Sequence, residues 1–218
     1  MLNWAEIETV LLDMDGTLLD LHFDNHFWRE HLIQRYAEQH RLPIEQVKPK
    51  LLELMARTRG SLDWYCLDFW SRELRLDIVA LKYEVADLIS IHPHAEEFLQ
   101  ALQGWRPLAL VTNAHPNALQ LKLERTGIAV YFDHIVSAHQ YDMPKEALKF
   151  WERLQQELGF RPERTLLVED NVSILKTAQQ YGIAHLLAVK QPDSHAEPLA
   201  VKDFPAVAHF GELLPIAK

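Results

Sequence analysis

At 218 residues the chain is long enough for one domain carrying an insertion. Hydrophobic residues make up 48% and charged residues 24%, a globular balance that excludes a disordered chain. A formal net charge of −9 without any Lys/Arg cluster argues against a nucleic-acid binder, and the lone Cys66 rules out an intramolecular disulfide or a cysteine zinc cluster.

The first residues, Met-Leu-Asn-Trp-Ala-Glu-Ile-Glu, lack a basic stretch followed by an apolar one, so no secretory signal is read. No run of 18 apolar residues is present to span a bilayer, and cytoplasm is the expected location. An anionic small molecule still suits such a chain, provided a divalent cation and a few placed bases offset the local repulsion. Oligomeric state is not legible.

Val10-Leu11-Leu12 reads as a buried strand that runs through Asp13 and Asp15 into a loop at Gly16. From about Asp20 to Ser90 the texture is helical. Leu32, Ile33, Tyr36 and Ala37 share one face, Val47, Leu51, Leu54 and Met55 a second, and Trp64, Leu67, Trp70 and Leu74 suggest a third helix. From Pro93 onward strands and helices alternate. Ala95–Leu102 is an amphipathic helix, and Leu108-Ala109-Leu110-Val111-Thr112 is a continuous apolar strand of the kind buried on both faces. Pro116 opens a helix closed by Gly127. Ile135-Val136 is a short strand, and Pro144 starts a helix with Ala147, Phe150, Trp151, Leu154 and Leu158 inward, ended by Gly159. Thr165-Leu166-Leu167-Val168 is a strand that ends in Glu169-Asp170. A helix to Tyr181 and the strand His185–Val189 follow. Repeated β-then-α units predict an α/β fold, a doubly wound parallel sheet with right-handed crossovers. Residues 20–90 read as a helical insertion into a core of 1–19 and 91–218.

Ligands bind at the C-terminal edge of such sheets. Strand exits there carry Asp13 and Asp15, Thr112 and Asn113, and Glu169 and Asp170, and a fourth leads to Lys145. One acidic pair after a strand is ordinarily a helix cap or a solvated turn; several at one edge point to a site. Hard oxygen donors without His or Cys suit Mg²⁺. A carboxylate can attack phosphorus, while a hydroxyl and an ammonium hold the remaining phosphate oxygens. With a cation neutralising Asp13, Asp15 can hold a proton for the leaving oxygen.

The segment Asp13-Met14-Asp15-Gly16-Thr17-Leu18-Leu19-Asp20, with Thr112, Lys145 and Glu169-Asp170 in order behind it, resembles the haloacid dehalogenase-like (HAD) superfamily over nearly the whole chain. That resemblance implies a Rossmann-like core with an α-helical C1 cap. It makes Asp13 the nucleophile and Asp15 the acid/base. Mg²⁺ falls to Asp13, the Asp15 carbonyl and Asp170, and phosphate to Thr112 and Lys145 with Asn113 close by. Glu169 stands behind the metal ligands. In relatives the motif lysine often precedes a proline, whereas Lys145 follows Pro144, so Lys149 is a fallback. Dehalogenases lack the second aspartate. Phosphonatases need a cap lysine, and Lys48, Lys50 and Lys82 lie in polar surroundings that suggest solvated faces.

The strings Leu21-His22-Phe23-Asp24-Asn25-His26-Phe27-Trp28, Leu62-Asp63-Trp64-Tyr65-Cys66-Leu67-Asp68-Phe69-Trp70 and Thr112-Asn113-Ala114-His115-Pro116 resemble a bacterial branch of purine 5′-nucleotidases acting on GMP and IMP. The substrate is then a phosphate monoester. Trp64, Tyr65 or Phe69 is placed to stack on the base, although Trp64, Leu67 and Trp70 also read as plain helical core. A sugar-phosphate phosphatase, a phosphomutase and a non-catalytic partner-binding protein are the alternatives. The twelve histidines read as surface or turn residues, with His22 and His26 near the nucleophile loop and His92 and His94 flanking Pro93. Arg57 and Arg59 read as a solvated helix face.

Overall fold

A computed structural model describes residues 2–216. The continuous apolar strands assemble as expected into one parallel sheet. β1 (Thr9–Leu12), β2 (Leu108–Thr112), β3 (His134–Ser137), β4 (Thr165–Glu169), β5 (His185–Val189) and a short β6 (Ala206–Val207) take the order β3-β2-β1-β4-β5-β6. β6 has only two residues and no sequence signal. The register pairs Leu11 with Ala109 on one side and with Leu167 on the other, so the first strand sits in the middle.

Alternation within the strands explains why both faces must be apolar. Val10, Leu12, Leu110 and Val168 join one core layer with Phe98 and Leu102, whereas Leu11, Val111 and Leu167 join the opposite layer with Phe150, Trp151 and Leu175. The chain between β1 and β2 folds as α1 (His22–His26), α2 (Leu32–His40), α3 (Ile44–Thr58), α4 (Leu62–Tyr65), α5 (Leu67–Leu74) and α6 (Ile78–Glu84) before α7 (Ala95–Leu102) rejoins the sheet. The segment leaves and returns at one point: Leu19 bridges Ile91, and the Asp20 N–H donates to the Ser90 carbonyl. Its Phe23, Phe27, Ile33, Leu51, Met55 and Trp70 pack in a third apolar cluster together with Ala118 and Leu121 from beyond the segment.

α8 (Pro116–Thr126), α9 (Leu148–Leu158) and α10 (Val172–Tyr181) complete the layers. α8 begins on Pro116 and ends at Gly127 in the left-handed conformation, as read from sequence. Two boundaries differ from expectation. The third insertion helix is two, because Cys66 adopts an extended conformation between Tyr65 and Leu67 and its sulfur accepts the Phe69 N–H. Pro144 does not open a helix; Pro144 to Ala147 form a turn and α9 starts at Leu148. That turn frees Lys145 from helical geometry. Among the described residues no helix is long and apolar enough to cross a membrane.

Candidate active site

Every strand exit that the sequence marked lies at one edge of the sheet. Gly16 makes the first turn possible. Its φ is +80°, and an added Cβ would fall 2.6 Å from Asp170 Oδ2, so only glycine lets the β1 loop approach the β4 loop this closely. Asp13, Glu169 and Asp170 each place a carboxylate oxygen within 4.8 Å of the others.

Lys145 is the counter-charge. Its side chain is 1% exposed, and its ammonium donates to Asp13, to Glu169 at 2.7 Å and to the Val111 carbonyl at 3.0 Å. Asn113 Oδ1 accepts the Lys145 backbone N–H at 2.9 Å and so ties the β2 exit to this turn. Lys149, the fallback, is exposed on α9. Glu169 has both oxygens engaged, the second accepting the Asn171 N–H. Thr112 is buried, and its Oγ1 accepts the Ala114 N–H, which leaves the hydroxyl proton free to meet an anion.

The electrostatics describe a place short of positive charge. Burial, then Glu169, pushes Asp13 up to about 7 against the pull of Lys145. Burial, then Glu169 and Asp13, raises Asp170 well above the usual carboxylate range. Burial works against the Lys145 ammonium, but Asp13 and Glu169 hold it charged. Once all three carboxylates are ionised they face a single ammonium, and the two negative charges left over are what one divalent cation balances. The oxygen donor set fits Mg²⁺.

A second ionic cluster, which sequence reading missed, surrounds Asp15. Lys122 of α8 donates to Asp15 Oδ1 and to Asp24 Oδ2, each at 2.6 Å, and Lys82 of α6 donates to Asp24 Oδ1 at 2.8 Å. Lys82 also lies 4.4 Å from the centroid of the Phe27 ring and 4.8 Å from that of Phe23. The expectation of a solvated Lys82 is therefore wrong: it is 2% exposed. Both lysines sit where helical periodicity calls for an apolar residue, Lys122 beside Ala118 and Leu121, and Lys82 one turn after Ile78. A lysine on an apolar face was the available signal. Burial, then Asp24 and Asp13, raises Asp15 to about 6 against Lys122. Asp24 is held below the usual range by Lys122 and Lys82 in spite of its burial.

The aromatic candidates divide. Trp70 is core, with its indole N–H on the Trp64 carbonyl at 3.0 Å. Trp64 and Phe69 pack edge-on against Trp70, both half-buried. Tyr65 reaches the core, donating its hydroxyl to Glu146 at 2.8 Å, while Asn113 donates to the other Glu146 oxygen at 3.0 Å. Among the histidines, His22 stacks on His195 and His26 faces Glu30. His92 is buried with its Nε2 against the Pro192 carbonyl, and His115 is buried too, so the reading of surface or turn histidines fails for both. Arg57 pairs with Glu53 and Arg59 is exposed, on a solvated face as expected.

Residues 7–182 match the family described as haloacid dehalogenase-like hydrolase. The chain is 36% identical over 213 residues to the GMP/IMP nucleotidase YrfG of Escherichia coli K12, covering 97% of this chain and 96% of that protein. It is 24% identical over 222 residues to a phosphorylated carbohydrates phosphatase of Thermotoga maritima, covering 97% and 99%. Among solved structures it resembles a HAD phosphatase of Thermococcus onnurineus, with a TM-score of 0.79, 21% identity and 95% and 96% of the two chains covered.

Proposed function

The chain belongs to the haloacid dehalogenase-like hydrolase family, and from that premise we propose that it is a Mg²⁺-dependent 5′-nucleotidase for purine monophosphates such as GMP and IMP. It is a phosphatase of this family. The observation that carries the chemistry is the meeting of Asp13, Glu169 and Asp170 around the buried Lys145, with Thr112 and Asn113 at the next strand exit.

Asp13 attacks the phosphorus of the bound monoester. A bond forms from its carboxylate oxygen, and the bond from phosphorus to the 5′ oxygen breaks. Asp15, held by Lys122, gives the leaving oxygen its proton. It then takes a proton from the water that attacks the aspartyl-phosphate, which releases inorganic phosphate and restores Asp13. Thr112, Asn113 and Lys145 hold the phosphate oxygens, and Glu169 keeps the ammonium in place. Asp13, Asp170 and the Asp15 carbonyl would hold Mg²⁺, which when bound neutralises the oxygens brought together in the reaction.

In this reading residues 20–90 are a cap over the edge of a core of 1–19 and 91–218, and they exclude bulk water while the phosphoenzyme lasts. Tyr65 is tied to Glu146, which leaves Trp64 and Phe69 as the faces for a purine. The proposed location is the cytoplasm, where a free Cys66 persists.

The test is phosphate release with Mg²⁺ from GMP, IMP, AMP, pyrimidine monophosphates and hexose phosphates. GMP and IMP should be preferred, and turnover should vanish with EDTA and fall by about 10³-fold or more in Asp13→Asn. Equal release from all substrates overturns the purine assignment and keeps the phosphatase. Undiminished turnover in Asp13→Asn overturns the mechanism.

A further inference from the structure

Three residues far apart in sequence meet beside the phosphate site without taking part in it. Cys66 links α4 to α5, His115 caps the start of α8, and His139 lies in the 3₁₀ turn Ala138–Tyr141 after β3. The Cys66 sulfur and one ring nitrogen of each histidine all lie within 4.8 Å of one another. The two imidazoles stand edge to face with centroids 5.0 Å apart. Asp68, at the start of α5, brings a carboxylate oxygen 3.5 Å from His115 Nε2.

One atom of this group is an orphan. His139 Nε2 is buried and has no hydrogen-bond partner among the described residues. A buried polar atom left so carries a free-energy cost that a ligand removes. Thiolate, two imidazoles and a carboxylate are a donor set for a tetrahedral transition-metal ion, softer than the all-oxygen set around Asp13. Bonds of roughly 2.0–2.3 Å space such ligands about 3.3–3.8 Å apart; the His115–Asp68 pair already has that spacing, and Cys66, His115 and His139 need at most about 1–1.5 Å of closure among themselves. Burial lowers the pKa of both histidines, and His115 lowers that of His139 further, which favours the neutral rings. His115 Nδ1 accepts the Asn117 N–H at 3.3 Å, so an ion at Nε2 moves the ring proton to Nδ1 at the expense of that contact.

We infer that Cys66, His115 and His139, with the exposed Asp68 beside His115 able to complete the set, form a site for a Zn²⁺-class ion, separate from the acidic cluster. Its ligands come from both bodies: Cys66 and Asp68 from the helical segment, His115 and His139 from the sheet side. An ion bound there is a clasp that pins the segment against the core edge. Binding releases the Cys66 thiol proton to solvent. None of this depends on the substrate of the phosphatase.

The experiment titrates chelator-stripped protein, held in excess Mg²⁺ to fill the acidic cluster, with Co²⁺ as a coloured substitute for Zn²⁺. One ion per chain should give a thiolate-to-cobalt charge-transfer band in the near ultraviolet and visible bands of tetrahedral intensity, bleached by equimolar Zn²⁺. Cys66→Ser should abolish the charge-transfer band, and His139→Ala should weaken Co²⁺ affinity by roughly tenfold or more. The serine oxygen can still accept the Phe69 N–H, and His139→Ala provides a second reading should Cys66→Ser not fold. Absence of the band at saturating Co²⁺, or its survival in both variants, overturns the site.

Discussion

Asp13 shows how a single buried group can report on its surroundings. Its pKa of about 7 lies above the ordinary 3.8 because burial and Glu169 oppose its charge. A carboxylate raised in the folded state stabilises the fold fully below its unfolded pKa, and that contribution is lost as pH rises through the folded value. Chelated protein should therefore melt progressively lower between about pH 4 and pH 7, with a shallower decline in Asp13→Asn, which cannot ionise. Scanning fluorimetry of the two side by side measures the difference, and parallel slopes would refute it. Lys122 is the second informative residue. Lys122→Met leaves Asp15 and Asp24 short of one positive charge, which should cost about 3–5 kcal/mol in urea denaturation. In the folded fraction kcat should fall more than KM rises, since Asp15 acts on the leaving oxygen rather than on binding. A rise in KM alone would assign Lys122 to substrate binding.

At the scale of elements, small local departures set the geometry. The Pro144–Ala147 turn in place of a first helical turn lets Lys145 reach Asp13, while its carbonyl accepts the Trp151 indole N–H at 2.9 Å. A π-turn at Phe27–His31 joins α1 to α2 and places Phe27 against Lys82. The break at Cys66 lets α5 turn Trp70 inward while Tyr65 reaches Glu146. Trp70 is 1% exposed at the centre of the helical core. Trp70→Ala should destabilise the protein by about 3–5 kcal/mol in chemical denaturation, and a value below about 1 kcal/mol would show that the segment repacks freely.

Across the whole molecule, the charge that the chain gathers at one edge must be met from solution. A net charge of −9 with three carboxylates converging at one place makes the metal-free state a strained one. Mg²⁺ at about one hundred times its Kd should add about 2.7 kcal/mol, or a rise in Tm of roughly 5–10 °C for a chain of this size. Asp170→Asn should blunt that rise in a thermal-shift titration; an undiminished rise would place the ion elsewhere.

The sequence by itself determined the succession of β1 to β5 and the helices of the sheet layers, the all-apolar sheet interior and the carboxylates and hydroxyl at the strand exits, because periodicity and turn chemistry act over a few residues. It also marked Asp13 and Asp15 together, Thr112, Glu169 with Asp170, and the loop to Lys145 as candidates, since they follow four strands of one parallel sheet. The partners of those residues required the tertiary fold. Lys122 meets Asp15 across 107 positions, and Lys82 meets Asp24 across 58. Cys66, His115 and His139 converge from three separate loops. A buried ion pair or a metal cluster is a relation between distant residues, and its energy comes from desolvation and distance, which exist only once the chain has closed on itself.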